Sequence, residues 1–299
     1  MKCKHPYMRD GLGKITKVQK VLSQQARDAA TPFGCGTCLH CRINQAREWQ
    51  HRIILEQMDS SESCFTTLTY NDEHLTTEWK GNHVCAGVLV KKDLTNYLKR
   101  LRKKVHPIKF RYFAIGEYGE LFRPHYHLAL FNLGIIHEQY ITDAWKLKNQ
   151  EIGFTQTGDL NKDSAAYIAG YYVSKLTKRL ETKDKQKEFM SSSRQKGGLG
   201  YGAIQKMAQK IGDSPYMDSK VIRQIFHGSQ GKPLGRYLTK KLGELTGNQY
   251  DDIFYDIQEE YFEQNKEGEV YYDNLLSITK QARENQKKRY KIYSAKRRL

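Results

Sequence analysis

Residues 123–131 read RPHYHLALF, with two histidines two positions apart inside an alternating apolar run. Side chains alternate across a strand, so His125, His127 and Ala129 share one face, and Tyr126, Leu128 and Leu130 share the other. Two imidazoles projecting together suit two ligands of one metal ion. Glu117 ends the preceding apolar run, KFRYFAIGE, and a short connection returns the chain to His125. A hairpin there brings the carboxylate beside the imidazoles. A His, His, Glu set with open positions accepts Mg²⁺ or Mn²⁺ and leaves room for phosphate oxygens. An isolated HxH also occurs as two surface histidines on an ordinary strand.

A second feature bears on that choice. In AAYIAGYYVSKLTK, Tyr167, Tyr171 and Lys175 are spaced four apart and lie along one stripe of a helix. A phenol is a nucleophile, but it ionises only near pH ~10. A metal-bound phosphate and a cation such as Lys175 would help it. The plainer alternative is a helix that packs two tyrosines into a core, for which Ile168 and Tyr172, off the stripe, are better suited.

A third feature is CGTCLHC, which sets Cys35, Cys38 and Cys41 at C-x2-C-x2-C spacing. Cys3 would supply a fourth thiolate for tetrahedral Zn²⁺, with His5 and His40 as alternatives. An iron–sulfur cluster fits the same spacing. Cys64 and Cys85 lie in apolar strand-like runs and read as core residues.

The elements that position these groups follow from periodicity. A helical pattern runs through HCRINQAREWQHRIILEQMD, and SCFTTLTY (63–70) reads as a strand. The stretch 91–107 reads as a helix, with Asp93 as N-cap and Pro107 as stop. Strands at 109–117 and 125–131, a short helix at 137–146, a strand at 153–160 and a helix at 163–180 capped by Asp163 complete the pattern. One further short strand is expected near 83–90. The order is that of an α+β fold, an antiparallel sheet with helices packed on one face. The stretch 187–202, rich in Ser and Gly, reads as a loop. An acidic amphipathic helix (251–264) and a basic tail follow. The expected division is an N-terminal Cys-rich zinc-binding element and helix over 1–60, a core over 61–182, and a C-terminal helical extension over 183–299.

The 299 residues carry 50 Lys+Arg against 33 Asp+Glu, a formal charge of +17, with 20 tyrosines. The mean hydropathy is −0.75 and the isoelectric point about 9.4. Such an excess points to a polyanion, and rings beside cations suit single-stranded nucleic acid. Lys99, Arg100, Arg102, Lys103 and Lys104 crowd one helix end, where they suit either DNA phosphates or the helix dipole. Arg123 stands beside the histidine pair. No apolar run approaches the length of a membrane span, and no export signal stands at the start. GLGKIT (11–16) lacks the glycine spacing of an ATP-binding loop, so unwinding is left to another protein.

With these motifs in place a resemblance is plain. HYH resembles the His-hydrophobe-His motif of the HUH endonucleases, metal-dependent enzymes that cleave single-stranded DNA through a tyrosine. FTTLTY resembles their first motif and the YxxxY helix their third. Within that group the chain looks most like the replication initiators of gokushoviruses, small single-stranded DNA phages of the microvirus group. CGTCLHCR, KDLTNYLKRLRK, RYFAIGEYGELFRPHYHLALF, AAYIAGYYVSK, SSSRQKGGLG and GKPLGRYLTKKL carry this likeness, which runs over most of 1–242. It implies an HUH, RRM-like core, with His125, His127 and Glu117 on the catalytic ion and Tyr167 and Tyr171 as nucleophiles. Gly170 stands where some relatives carry Lys, so Lys175, with Lys178 behind it, becomes the candidate cation. The implied activity is origin nicking through a 5′-phosphotyrosyl link with a free 3′-hydroxyl, in the cytoplasm of a bacterial host, with host helicase and polymerase as partners. A relaxase or transposase would share this chemistry. A non-catalytic zinc-containing DNA-binding or packaging protein would keep the charge and the cysteines without needing the rest, and a hydrolytic nuclease would leave the tyrosine stripe unexplained.

Overall fold

The computed structural model describes residues 7–9, 15–17, 31–75, 78–80, 83–85, 87–119, 123–170, 187–212, 224–227 and 230–247. They fall into two compact units, Trp49–Met207 and a second made of Met1–Glu48 with Ala208–Leu299. No helix among the described residues is long and apolar enough to cross a membrane.

The larger unit is built on a five-stranded antiparallel sheet. Its strands are β1 (Ser63–Thr69), β2 (Arg111–Tyr118), β3 (Pro124–Phe131), β4 (Thr155–Asp159) and β5 (Phe189–Ser192), in the order β4-β1-β3-β2-β5. The alternation read from the sequence is realised. Tyr126, Leu128 and Leu130 join Cys64, Leu68, Ala114 and Tyr118 in one core cluster, under α2 (Lys91–Lys104) and α3 (Glu138–Ala144). α2 contributes Leu94, Tyr97, Leu98 and Leu101, the stripe expected from its spacing.

The opposite face is also covered, which corrects the expectation of helices on one side only. α1 (Leu39–Met58) sends Ile53 and Ile54, and α4 (Lys162–Ala169) sends Ala165, Ile168 and Ala169, against Phe113, Ile115, Ala129 and Phe131. The reason is in the strands. Phe113, Ile115 and Phe131 alternate onto the histidine face, and rings and branched chains of that size must be removed from water. Each fully buried chain of this kind contributes about 1.5–3 kcal/mol.

Two helix starts differ from their sequence reading. Asp93 does not cap α2, whose N-cap is Val90 without a side-chain bond. Asp93 instead accepts the Tyr70 hydroxyl at 2.9 Å. α4 is capped ahead of Asp163, by Asn161, whose Oδ1 accepts from the backbone N–H of Asp163 and Ser164. The helix expected over 163–180 is described to Ala169, and its remainder lies outside the described residues, as do the acidic helix at 251–264 and the basic tail. The stretch 187–202 is not all loop. Phe189–Ser192 pairs with Phe113–Gly116 as β5, an edge strand too short and too Ser-rich for its pattern to show.

In the smaller unit, Tyr7–Arg9 pairs on either side with Ile15–Lys17 and Thr31–Phe33. α1 begins in this unit. The hairpin of Gln224–His227 and Gln230–Pro233 precedes α5 (Gly235–Thr246), which buries Leu238 and Leu242 and ends at Gly247 in the left-handed conformation.

One close approach sets the open edge of the large sheet. The Thr69 carbonyl accepts the Trp145 indole N–H at 2.7 Å, and Thr69 N–H donates to the Phe154 carbonyl at 2.9 Å. Between these groups a Cβ on Gly153 would overlap the Thr69 carbonyl oxygen and lie 2.6 Å from Tyr70 Cα. Gly153→Ala is therefore expected to cost about 1–3 kcal/mol as an overpacked site. Thermal denaturation reads this as a drop of roughly 2–4 °C per kcal/mol in a domain of this size. An unchanged midpoint would mean that the strand end can yield.

Candidate active site

The β2–β3 ladder sets Glu117 opposite His125 and Ile115 opposite His127, and the β1–β3 ladder sets Thr69 opposite His125 and Thr67 opposite His127. Cross-strand partners share a face, so the carboxylate, both imidazoles and two threonines stand together. Glu117 is 3% and His127 7% exposed, while His125 is half-buried. His125 Nε2 and His127 Nε2 each lie 3.2 Å from Glu117 Oε1. The phenol of Tyr167 reaches the same point from α4. Its hydroxyl donates to Glu117 Oε1 at 3.1 Å and lies 3.3 Å from His127 Nε2.

The surroundings fix these orientations. His125 Nδ1 is 3.2 Å from the Arg123 carbonyl. A carbonyl only accepts, so Nδ1 donates to it, and Nε2 is the nitrogen that faces Glu117 and would ligate a cation. His127 Nδ1 is held by the Thr67 hydroxyl at 2.9 Å, and Phe65 stacks on its ring with centroids 5.6 Å apart and an interplanar angle of 16°. Phe65 also meets the Tyr167 ring edge-on at 6.3 Å. Thr67 and Phe65 lie within the strand read from the sequence, but only the ladder register shows which of its residues meet the histidine.

Behind the sheet, Tyr126 locks the strand between its two histidines. Its hydroxyl meets Tyr70 Oη at 2.7 Å, donates to the Val90 carbonyl at 2.9 Å and accepts from Val90 N–H at 3.1 Å. Burial pushes its phenol up to about 12, and pushes Tyr70 up further. Both stay neutral and act as a structural clamp.

The donor set fits a divalent cation. Glu117, His125 and His127 offer one oxygen and two nitrogens, all within 4.8 Å of one another. At metal–ligand distances of about 2.1 Å, adjacent octahedral ligands lie roughly 3 Å apart, close to the 3.2 Å between each imidazole and the carboxylate. Nδ1 contacts such as those to Arg123 and Thr67 are the usual support of ligating histidines.

A second donor set lies in the smaller unit. Cys35, Cys38 and Cys41 also gather within 4.8 Å. Cys38 N–H donates to Cys35 Sγ at 3.3 Å. Gly36, at φ +73°, allows the turn between them. His40, one of the alternative ligands, is buried but not within this group, and Cys3 and His5 lie outside the described residues. Cys64, read as a core residue, is fully buried, and burial holds its thiol up at about 12.

The remaining expected residues are spread more widely. Tyr171 and Lys175 lie outside the described residues. Lys99, Arg102, Lys103 and Lys104 are exposed on α2, on the Tyr126 side of the sheet rather than the histidine side. Arg100 turns inward, where its Nε donates to the Ala144 carbonyl at 2.7 Å and burial lowers its pKa. Arg123 donates to the Tyr70 carbonyl at 2.8 Å and pairs with Asp72 at 2.7 Å.

A cation that binds this site only in the folded protein must stabilise it. A hundredfold excess of Mn²⁺ over its dissociation constant should add about 2.7 kcal/mol. The thermal midpoint should rise accordingly and return with chelator. His125→Ala with His127→Ala should abolish the rise, and a rise unchanged in the double variant would place the binding elsewhere.

Residues 63–177 match a family model for the replication-associated protein ORF2, a span that contains Glu117, His125, His127, Tyr167, Tyr171 and Lys175. The chain is 29% identical over 236 residues to the replication-associated protein ORF2 of Spiroplasma virus 4, covering 74% of this chain and 69% of that protein. It is 29% identical over 241 residues to the replication-associated protein VP4 of Bdellovibrio phage phiMH2K, covering 75% and 71%. No solved structure matches. The chain is thus similar, over most of its length, to replication-associated proteins of two viruses of bacteria.

Proposed function

We propose that this protein initiates replication of a small single-stranded DNA phage by nicking the origin strand through a tyrosine. The observation that carries this reading is the meeting of the Tyr167 hydroxyl with His127 Nε2 and Glu117 Oε1. A hydrolytic nuclease needs the histidines and the carboxylate but has no use for a phenol at that point. The similarity to replication-associated proteins supports the biological setting.

His125, His127 and Glu117 would hold Mg²⁺ or Mn²⁺, which supplies Lewis-acid charge to the oxygens of the scissile phosphate. The protein's own groups do the rest. Tyr167 Oη, which lies 3.1 Å from Glu117 Oε1 and 3.3 Å from His127 Nε2, attacks phosphorus in line, its proton passing through solvent to the departing 3′-oxygen. The new Oη–P bond replaces the P–O3′ bond. The departing 3′-oxygen takes up a proton and becomes a free 3′-hydroxyl, a primer for a polymerase. The phosphodiester bond energy is kept in the phosphotyrosyl link, so a later 3′-hydroxyl can rejoin the strand without ATP. Tyr171 would act in a second round while Tyr167 is occupied, with Lys175 as the neighbouring cation. Host helicase and polymerase would supply unwinding and synthesis in the bacterial cytoplasm.

We also infer that Cys35, Cys38 and Cys41 hold a structural zinc. Soft thiolates favour Zn²⁺ over the hard cations suited to the histidine site. Protein purified without chelator should carry about one equivalent of zinc, lost in Cys38→Ser. Less than half an equivalent in the unaltered protein, or a coloured iron-containing preparation, would overturn this assignment.

The nicking reading is tested with phage-derived single-stranded DNA and Mn²⁺. After denaturation, DNA should remain covalently attached to the protein. Tyr167→Phe with Tyr171→Phe should abolish the adduct while leaving DNA binding in place. Normal adduct in the double variant would sink the assignment, and cleavage without any adduct would favour water as the nucleophile.

A further inference from the structure

The transverse row that contains the site continues to the open edge of the sheet. Glu117 lies opposite His125 and His125 opposite Thr69. Thr69 N–H donates to the Phe154 carbonyl at 2.9 Å and its hydroxyl does so at 3.3 Å. Phe154 precedes Thr155, the first residue of β4, which pairs with Leu68. By parity Phe154 belongs with Thr69, His125 and Glu117 on the histidine face. With strands about 4.8 Å apart, its backbone stands roughly 10 Å from that of His125.

At that position the ring is 72% exposed, the most exposed phenylalanine among the described residues. Its backbone, in contrast, is fixed. Gly153 is wedged against the Thr69 carbonyl, which also accepts the Trp145 indole N–H. A cleft of about 190 Å³ near this strand end, lined by Thr142, Trp145, Lys146, Glu151 and Thr155 among others, belongs to the Tyr126 side of the sheet, where α3 packs, and not to the histidine face. Its walls carry both apolar and hydrogen-bonding groups. The Thr142 and Thr155 hydroxyls meet at 2.8 Å, and Lys146 Nζ is bonded to Asp143 at 2.8 Å. A flat, exposed ring on a fixed backbone suits stacking by a planar heterocycle better than packing by an aliphatic chain. The chain's charge of +17 favours a polyanion as the carrier of that heterocycle.

We propose that Phe154 forms a nucleobase subsite for single-stranded DNA, stacking a base a short distance along the strand from the scissile phosphate. The position rests on the nicking reading for its purpose. The stacking itself does not, because it requires only a single strand lying along this row. A base held here fixes the direction in which the strand crosses the histidines, and every base has a π-face, so the subsite is tolerant of sequence.

The test uses the full chain and a short fluorescein-labelled oligothymidine with Mn²⁺ present, so that the histidine set can accept phosphate. Fluorescence anisotropy should show affinity falling about tenfold in Phe154→Ala and staying within about twofold in Phe154→Trp, the usual scale of one base–aromatic stack. An abasic oligonucleotide of the same length and charge should bind the unaltered protein and Phe154→Ala alike. Affinity for oligothymidine unchanged in Phe154→Ala overturns the proposal. So does an equal loss with the abasic strand, since that effect would be structural. The covalent adduct assay on the unaltered protein separates the two readings. Stacking loss without any adduct upholds the subsite and removes the chemistry, and adduct with no stacking loss does the reverse.

Discussion

Glu117 is a carboxylate in the middle of a sheet, 3% exposed, and the fold around it is arranged to make that position tenable. A buried carboxylate is costly unless its oxygens are bonded or neutralised. Here two imidazoles and a phenol converge on one of its oxygens. The convergence depends on the β2–β3 register, because a slip of one residue would turn both histidines to the other face. Much of the opposite face serves that register. Tyr126 is clamped to Val90 and Tyr70, and Gly116 leaves room for the Phe189 ring of the edge strand, which a Cβ would approach to 2.8 Å. Fixing the back of the strand fixes the front.

Coverage of both faces also changes the electrostatics of the site. α1 and α4 remove water from the histidine face and lower the local dielectric, so each charge there acts more strongly. Among the described residues, the basic groups read from the sequence do not add to this directly. Those on α2 lie behind the sheet, Arg100 is turned inward, and Arg123 is paired with Asp72. The described site therefore gathers two imidazoles and one phenol around a carboxylate. Phosphate, itself anionic, would be repelled by that set without a cation. The same geometry that satisfies Glu117 makes phosphate binding conditional on the ion.

The hairpin and its parity are legible in the sequence because alternation over eight residues has one reading: Tyr126, Leu128 and Leu130 inward leave His125 and His127 together. The α2 stripe is legible for the same reason at helical period. What is not legible depends on partners distant in sequence. Asp93 looks like a helix cap but is taken by the Tyr70 hydroxyl, 23 residues away. β5 is hidden because Ser-rich text suits a loop until an edge is offered to it. The second helical layer is easily overlooked because the apolar residues Phe113, Ile115 and Phe131 stand among histidines that draw the eye to chemistry. Phe154 gives no signal at all, since an aromatic at the start of a strand is read as core by default. Its exposure follows from Gly153 against Thr69, a contact between segments far apart in the chain.

The two donor sets differ in a way that keeps their chemistry apart. Three thiolates select a soft or borderline ion and, once closed by a fourth ligand, leave no open position. Two imidazoles and one carboxylate leave half of an octahedron vacant and favour a harder ion that exchanges its waters for phosphate oxygens. Zinc in the histidine set would favour a tetrahedron with one open position, so activity should depend on which metal fills which set. A thiolate set would hold zinc more strongly than two imidazoles and one carboxylate would. If each set is filled as proposed, by the ion its donors prefer, the two motifs most conspicuous in the sequence belong to one chemical division of labour.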